Sequence, residues 1–361
     1  MSDTIEQDMI PFFIGSYCAA ADNGIYVYRL DISTGALEPV SAVGGLENPS
    51  FLALHPTKPL LYAVIETAAG EVAALSYDEQ SFELKVINSA STGGSPCHLV
   101  VDASGQYVLA ANYGGGSVCM MPLRDDGGVE EASDFVQHVG SSVHARQSEP
   151  HAHSINIDPG NRFAFAPDLG LDKIMMYELD LDLGKLRPHT TQPYAETPGG
   201  SGPRHLAFLP NRRLAYVINE IDNTITAFNF DESTGTLQTV ETVSTLPDDF
   251  SATSGTADIH VEPSGRFLYG SNRGHDSIAI YAIDPVSGRL QTRGHVATGG
   301  AAPRNFAIDP SGNFLLVANQ STDDIRTFRI HPEDGSLAAT GHVAEVQAPV
   351  CMQFLRTSTR R

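Results

Sequence analysis

The chain has no tryptophan, only four cysteines, and 22 Lys and Arg against 43 Asp and Glu, for a net charge of −21. Each shortage removes a class of explanation. Without Trp, a WD-type repeat scaffold is disfavoured. Cys18, Cys97, Cys119 and Cys351 show no metal-binding or redox spacing, so they read as free thiols in a reducing compartment. The acidic balance argues against nucleic acid or an anionic membrane as partner. No apolar run approaches the roughly 18 residues of a membrane span. The opening Met-Ser-Asp-Thr-Ile-Glu-Gln-Asp is acidic and lacks the apolar stretch of a signal peptide, so a cytoplasmic protein is expected. Residues 1–10 are expected to be flexible.

What the chain does have is a phrase repeated along its length. It runs from a proline or small residue through a short apolar run, an Asp-Pro-Ser-Gly-like turn and a second apolar run to an Asn. Copies begin at Pro49, Pro96, Ala152, Pro203, Thr256 and Pro303, and an incomplete one begins at Pro349. The turn position holds His55, Asp102, Asp158, Leu209, Glu262 and Asp309. The Asn position holds Ile65, Asn112, Asp168, Asn219, Asn272 and Asn319. Each unit continues into a third strand and, after Asp-x-x-(Ser/Thr)-Gly-x-Leu, a fourth, as from Asp31, Asp231 and Asp284. Gly in that turn supplies the positive φ a tight hairpin needs.

Four short strands per unit and seven units predict an all-β, seven-bladed β-propeller in one domain spanning 1–361. A β-helix has shorter rungs, and a helical solenoid needs a 3.6-residue periodicity that is absent. The last copy stops after one strand, while Phe12–Tyr17 looks like the second strand of a unit. The two ends should therefore close one blade together and remove two exposed sheet edges. The irregular stretch 132–151, with His138, His144 and His151, is expected to be a loop insertion over one face.

Register says what faces the central mouth. The residue after each anchor starts an innermost strand: Ser50, Cys97, His153, Arg204, Ala257, Arg304 and Val350. The residue after each Asn position ends the neighbouring strand: Tyr17, Glu66, Tyr113, Leu169, Glu220, Arg273 and Gln320. Antiparallel pairing puts both sets at one opening, with His98 and His205 close by. Three arginines converging in an acidic protein predict a site for a small anionic substrate, because the guanidinium fork matches carboxylate and phosphate. Cys97 reads as a small packed residue with no base partner. The glycines of Asn112-Tyr-Gly-Gly-Gly-Ser117 allow either close approach to a ligand or simply a tight turn. A metal is not expected, since arginines repel cations, and no cofactor is expected either.

The segments Ala-Asn-Tyr-Gly-Gly-Gly-Ser-Val (111–118), Pro-His-Ala-His-Ser (150–154), Gly-Pro-Arg-His-Leu-Ala-Phe (202–208), Val-Ile-Asn-Glu (217–220) and Ser-Asn-Arg-Gly-His-Asp-Ser-Ile (271–278) resemble the seven-bladed lactonase family. That family includes 6-phosphogluconolactonases and a carboxy-cis,cis-muconate lactonising enzyme. The resemblance covers about residues 11 to 356 and implies His153, Arg204, Glu220 and Arg273 as catalytic residues. Arg304, Tyr113, His98, Glu66 and Gln320 are then expected to bind substrate. Ile65 stands where the family has Asn before Glu, which weakens a role for Glu66. The implied activity is hydrolysis of a sugar lactone, foremost 6-phosphogluconolactone, with Glu220 or His153 as base and Arg204 and Arg273 facing the oxyanion. The alternatives are cycloisomerisation of a carboxy-muconate-type diacid and a non-catalytic propeller that binds a sugar acid or a protein.

Overall fold

The computed structural model describes residues 9–210 and 213–355. Seven antiparallel sheets follow one another along the chain, each running from an innermost to an outermost strand. The first blade combines Met9–Ser16, Asn23–Asp31 and Leu37–Gly44 with the C-terminal Pro349–Phe354, which lies innermost. Phe12 pairs with Phe354, Ile14 with Met352 and Ser16 with Pro349, which is the expected closure. Blades two to seven occupy residues 52–91, 96–137, 156–196, 203–244, 255–297 and 303–345. No helix of the described residues is long and apolar enough to cross a membrane.

The core is not central. It lies between blades, in seven apolar clusters that each join two neighbours and together complete the circle. The cluster of Phe12, Ile14 and Leu30 with Phe314, Leu316 and Ile325 joins the last blade to the first. Buried tyrosines latch the ring further. Tyr62, Tyr216 and Tyr269 each donate to a turn glycine carbonyl one blade on, at Gly127, Gly288 and Gly335. Gly335 has φ +74°, and a Cβ there would stand 2.5 Å from the Phe267 ring, so both conformation and packing demand glycine.

The repeated polar residues have local tasks. Asp102 accepts from the backbone N–H groups of Ser104, Gln106 and Tyr107 and so closes its turn. His55, in the same position, accepts from the N–H groups of Thr57 and Lys58 through Nδ1. The Asn amides reach forward to the start of the third strand, Asn112 to Ser117 and Asn319 to Asp324.

Two expectations need correction. The stretch 132–151 is not all loop, because Asp134–Gln137 forms the outer strand of blade three. Likewise Met9 and Ile10 already pair with Asp31 and Leu30, so strand order reaches into the segment expected to be flexible, and residues 1–8 lie outside the described residues. Blade four departs from the repeat. Its innermost strand shrinks to Asn156–Ile157, with an isolated bridge from Ala152 to Asp168. Pro167 accepts from the His153 N–H but has no N–H to return, so the ladder breaks there.

Candidate active site

The innermost strands share one local device. In blade three Pro96 pairs with Asn112 and His98 with Ala111, leaving Cys97 as an extra, unpaired residue. The same register shift isolates Arg204 between Pro203 and His205, and Arg304 between Pro303 and Asn305. Each is a β-bulge, which re-aims a side chain at the end of a strand. Bulge residues and second-strand ends thus meet at one mouth, around a cavity of about 240 Å³ lined by Glu66, Cys97, Tyr113, Arg146, His153, Glu220, Arg273 and Arg304. That lies just below the usual range of roughly 300–1,000 Å³ for ligand sites, so it suits a compact ligand.

Glu220 is the hub of one half. Arg146 Nη2 approaches its Oε1 to 2.6 Å, and Arg204 Nε and Arg273 Nη2 approach Oε2 to 3.0 and 2.9 Å. Burial alone would raise the Glu220 carboxyl, but Arg273, Arg204 and Arg146 outweigh it and hold it at about 2. Arg204 itself drops to about 10, through burial and the nearby Arg304 and Arg273, and stays charged at neutral pH. His153 stands 3.8 Å from Glu220 Oε2 through Nε2, too far for a direct hydrogen bond. Burial, then Arg204, His205 and Arg304, push its pKa well below the ordinary value, so the imidazole is neutral at pH 7. Its Nδ1 lies 3.7 Å from Cys97 Sγ, and that thiol donates to the His153 carbonyl at 3.1 Å. Burial raises the Cys97 thiol, which keeps it protonated and non-nucleophilic.

The other half centres on Glu66, which accepts from Tyr17 Oη at 2.9 Å and from the Ser50 hydroxyl. Arg304 lies 5.5 Å above the Tyr17 ring and forms no ion pair among the described residues. Burial works against its charge, but Tyr17, Glu66 and Glu220 raise its pKa.

The sequence-expected residues sort into three groups. His153, Glu220, Arg273, Arg304, Tyr113 and Glu66 line the cavity together. Arg204 is brought to Glu220 but lies behind it, with its side chain 3% exposed, so it does not face a ligand as expected. It is gripped from the rear: Nη1 donates to the Ala257 carbonyl at 2.5 Å and to His205 Nε2 at 3.1 Å, while His205 Nδ1 donates to Asp258 at 2.8 Å. His98 and Gln320 do not line the cavity. His98 lies one residue past the bulge, and strand alternation turns it away. Its ring packs on Phe51, and its Nδ1 accepts the Ile155 N–H. Of the glycines after Tyr113, Gly116 serves packing: a Cβ there would stand 2.6 Å from the Pro150 carbonyl. Among the described residues no three His, Cys, Asp or Glu side chains converge as a metal site.

Arg146 is the lining residue that repeat register missed, because the insertion has no counterpart in other blades. Its signal was positional: a basic residue in an extra segment that ends at Pro-His-Ala-His, where blade four enters the mouth.

Comparison with known proteins places the chain in a family. Residues 11–354 match the family described as "Lactonase, 7-bladed beta-propeller". A 6-phosphogluconolactonase of Bacillus subtilis (strain 168) is 38% identical over 298 residues, covering 81% of this chain and 83% of the relative. One from Formosa agariphila is 36% identical over 305 residues, covering 82% and 85%. The solved structure of a periplasmic gluconolactonase from Pseudomonas aeruginosa superimposes with a TM-score of 0.91 at 32% identity, covering 96% of this chain and 99% of that one.

Proposed function

We propose, for a chain that belongs to the seven-bladed β-propeller lactonase family, hydrolysis of 6-phosphogluconolactone to 6-phosphogluconate without a metal ion. The observation that carries the phosphorylated substrate is charge. Three arginines, Arg146, Arg273 and Arg304, line the cavity against two carboxylates, Glu66 and Glu220, so the lining is net positive in a chain of net charge −21. A phosphate monoester, at −1.5 to −2 near pH 7, is drawn to that positive lining.

A water attacks the lactone carbonyl, His153 Nε2 accepts its proton, and the ring C–O bond breaks as the tetrahedral intermediate collapses. The proton returns from His153 to the departing alkoxide. Glu220 Oε2 stays paired with Arg204 and Arg273, so its carboxylate is engaged and does not take the proton. Its charge instead stabilises the imidazolium, which replaces the earlier alternative of Glu220 as base. Arg273 and Arg304, which line the cavity, face the developing oxyanion, and Arg204 fixes Glu220 from behind. These guanidiniums supply the electrophile a metal would otherwise provide and repel a cation from the mouth. The four cysteines are free and buried, which supports action in the cytoplasm.

The test is acid release from phosphorylated and plain aldonolactones, measured against the spontaneous rate before and after EDTA treatment. Turnover of 6-phosphogluconolactone that survives chelation is expected. No acceleration with any lactone would reject the reading, and loss on chelation with recovery on adding Ca²⁺ or Mg²⁺ would reject the metal-free mechanism.

A further inference from the structure

The segment between Gln137 and Asn156 brings Arg146 to the mouth, against Glu220, and it is firmly held. One carboxylate secures both its ends: Asp168 contacts His138 Nδ1 at 2.6 Å and accepts the His151 N–H at 2.8 Å. A second secures its middle: Asp172 accepts from Ser142 Oγ and Gln147 Nε2, each at 2.6 Å. Gln147 is 0% exposed. The residue before it, Arg146, leaves that anchor with a side chain 47% exposed.

Arg146 differs from the other two guanidiniums on Glu220. Arg204 also donates to the Ala257 carbonyl and Arg273 to the Thr256 carbonyl, so neither can leave without breaking a backbone bond. Arg146 contacts only side chains, Glu220 Oε1 at 2.6 Å and Tyr113 Oη at 3.3 Å, and both through Nη2. Its Nε and Nη1 make no hydrogen bond among the described residues. A fixed backbone thus carries a guanidinium whose only strong partner is exchangeable for another anion.

We infer that Arg146 is the specificity-determining residue of the pocket: it rests on Glu220 in the free protein and transfers to the phosphate of an incoming substrate. The inference builds on the lactonase reading above. Trading one anion for another leaves the guanidinium paired throughout, and its fork can take two phosphate oxygens at once. Glu220 keeps Arg204 and Arg273 but loses its closest cation, so more of its negative charge is available to the imidazolium of His153. Binding of the charged substituent and proton transfer at the ring carbonyl are thereby connected through one side chain.

Full-length R146M and R146K, compared with wild type on 6-phosphogluconolactone and gluconolactone, test this, with inorganic phosphate as a competitive inhibitor. For R146M the ratio of kcat/KM between phosphorylated and plain lactone is expected to fall at least about tenfold, mainly through KM, and the inhibition constant for phosphate to rise. R146K, with charge but no fork, should fall in between. If R146M does not fold, a fall of at least about threefold in the R146K ratio supports the inference and an unchanged ratio overturns it. Equal losses on both lactones, or an unchanged ratio, would overturn the inference while leaving the lactonase reading standing. Wild-type protein that opens neither lactone would remove both.

Discussion

Glu66 and Glu220 occupy the same register position in blades two and five, and both line one cavity, yet their surroundings are opposite. Glu220 is gripped by three arginines, whereas Glu66 accepts hydrogen bonds from two hydroxyls, Tyr17 and Ser50. The backbone does not make this difference. Each carboxylate pairs with the residue after the anchor of its own blade, Ser50 for one and Arg204 for the other, but Glu66 reaches back to Tyr17 of blade one while Glu220 reaches forward to Arg273 of blade six. A propeller repeats its geometry and leaves chemistry to single residues at equivalent places. One half of the mouth is built to hold charge, the other to offer polar contact.

Removing each carboxylate should break the comparison most visibly. E220Q is expected to lose more than about 100-fold in kcat/KM, or about 2.7 kcal/mol, and to melt several degrees lower. Three guanidiniums then share no counter-ion, and breaking a buried pair costs about 3–5 kcal/mol. E66Q should lose less than about tenfold and melt close to wild type. Steady-state kinetics and calorimetry on both variants check this, and similar losses in the two would erase the distinction.

A smaller effect comes from R273K. Arg273 spans Glu220 and the Thr256 carbonyl, a reach that a point charge on a flexible stem does not reproduce. A fall in kcat of about 10- to 100-fold is expected with a nearly unchanged melting temperature. Wild-type kinetics would show that Arg273 only solvates the rim.

The pH dependence of stability sharpens the contrast further. Glu220 is depressed from 4.5 to about 2 by its arginines against the pull of burial, and His205 from 6.5 to about 4, chiefly by burial and then Arg204. In both cases the unfolded chain takes up the proton first, so stability falls as pH falls. The His205 contribution is lost between about 6.5 and 4, and that of Glu220 between about 4.5 and 2. Thermal melts from pH 7 to 3 should decline throughout, and E220Q should flatten the part below about 4.5. An unaltered acid limb in E220Q would contradict the assigned carboxylate.

Much of this was legible from the repeat. Counting copies yields seven blades, the missing strand of the last copy yields the closure, and register brings His153, Glu220, Arg273 and Arg304 to one opening. Three things were not legible. The bulges at Cys97, Arg204 and Arg304 carry no residue signature, since the same Pro-x pattern reads as plain strand, and without them His98 reads as being as well placed as its neighbour. The depth of Arg204 depends on His205 and Asp258, which meet from different blades. Arg146 belongs to an insertion, where periodicity has nothing to say.

In the proposed reaction His153 is the proton acceptor in the arginine-bound half. Its most direct test is the pH-stat rate of acid release from 6-phosphogluconolactone by H153Q, which keeps polarity and approximate size but cannot accept a proton at neutral pH. The expected result is a correctly folded protein whose rate falls by at least about 100-fold, the scale of a lost general base, and stays low across pH 6 to 8. An H153Q enzyme with near-normal turnover would contradict it.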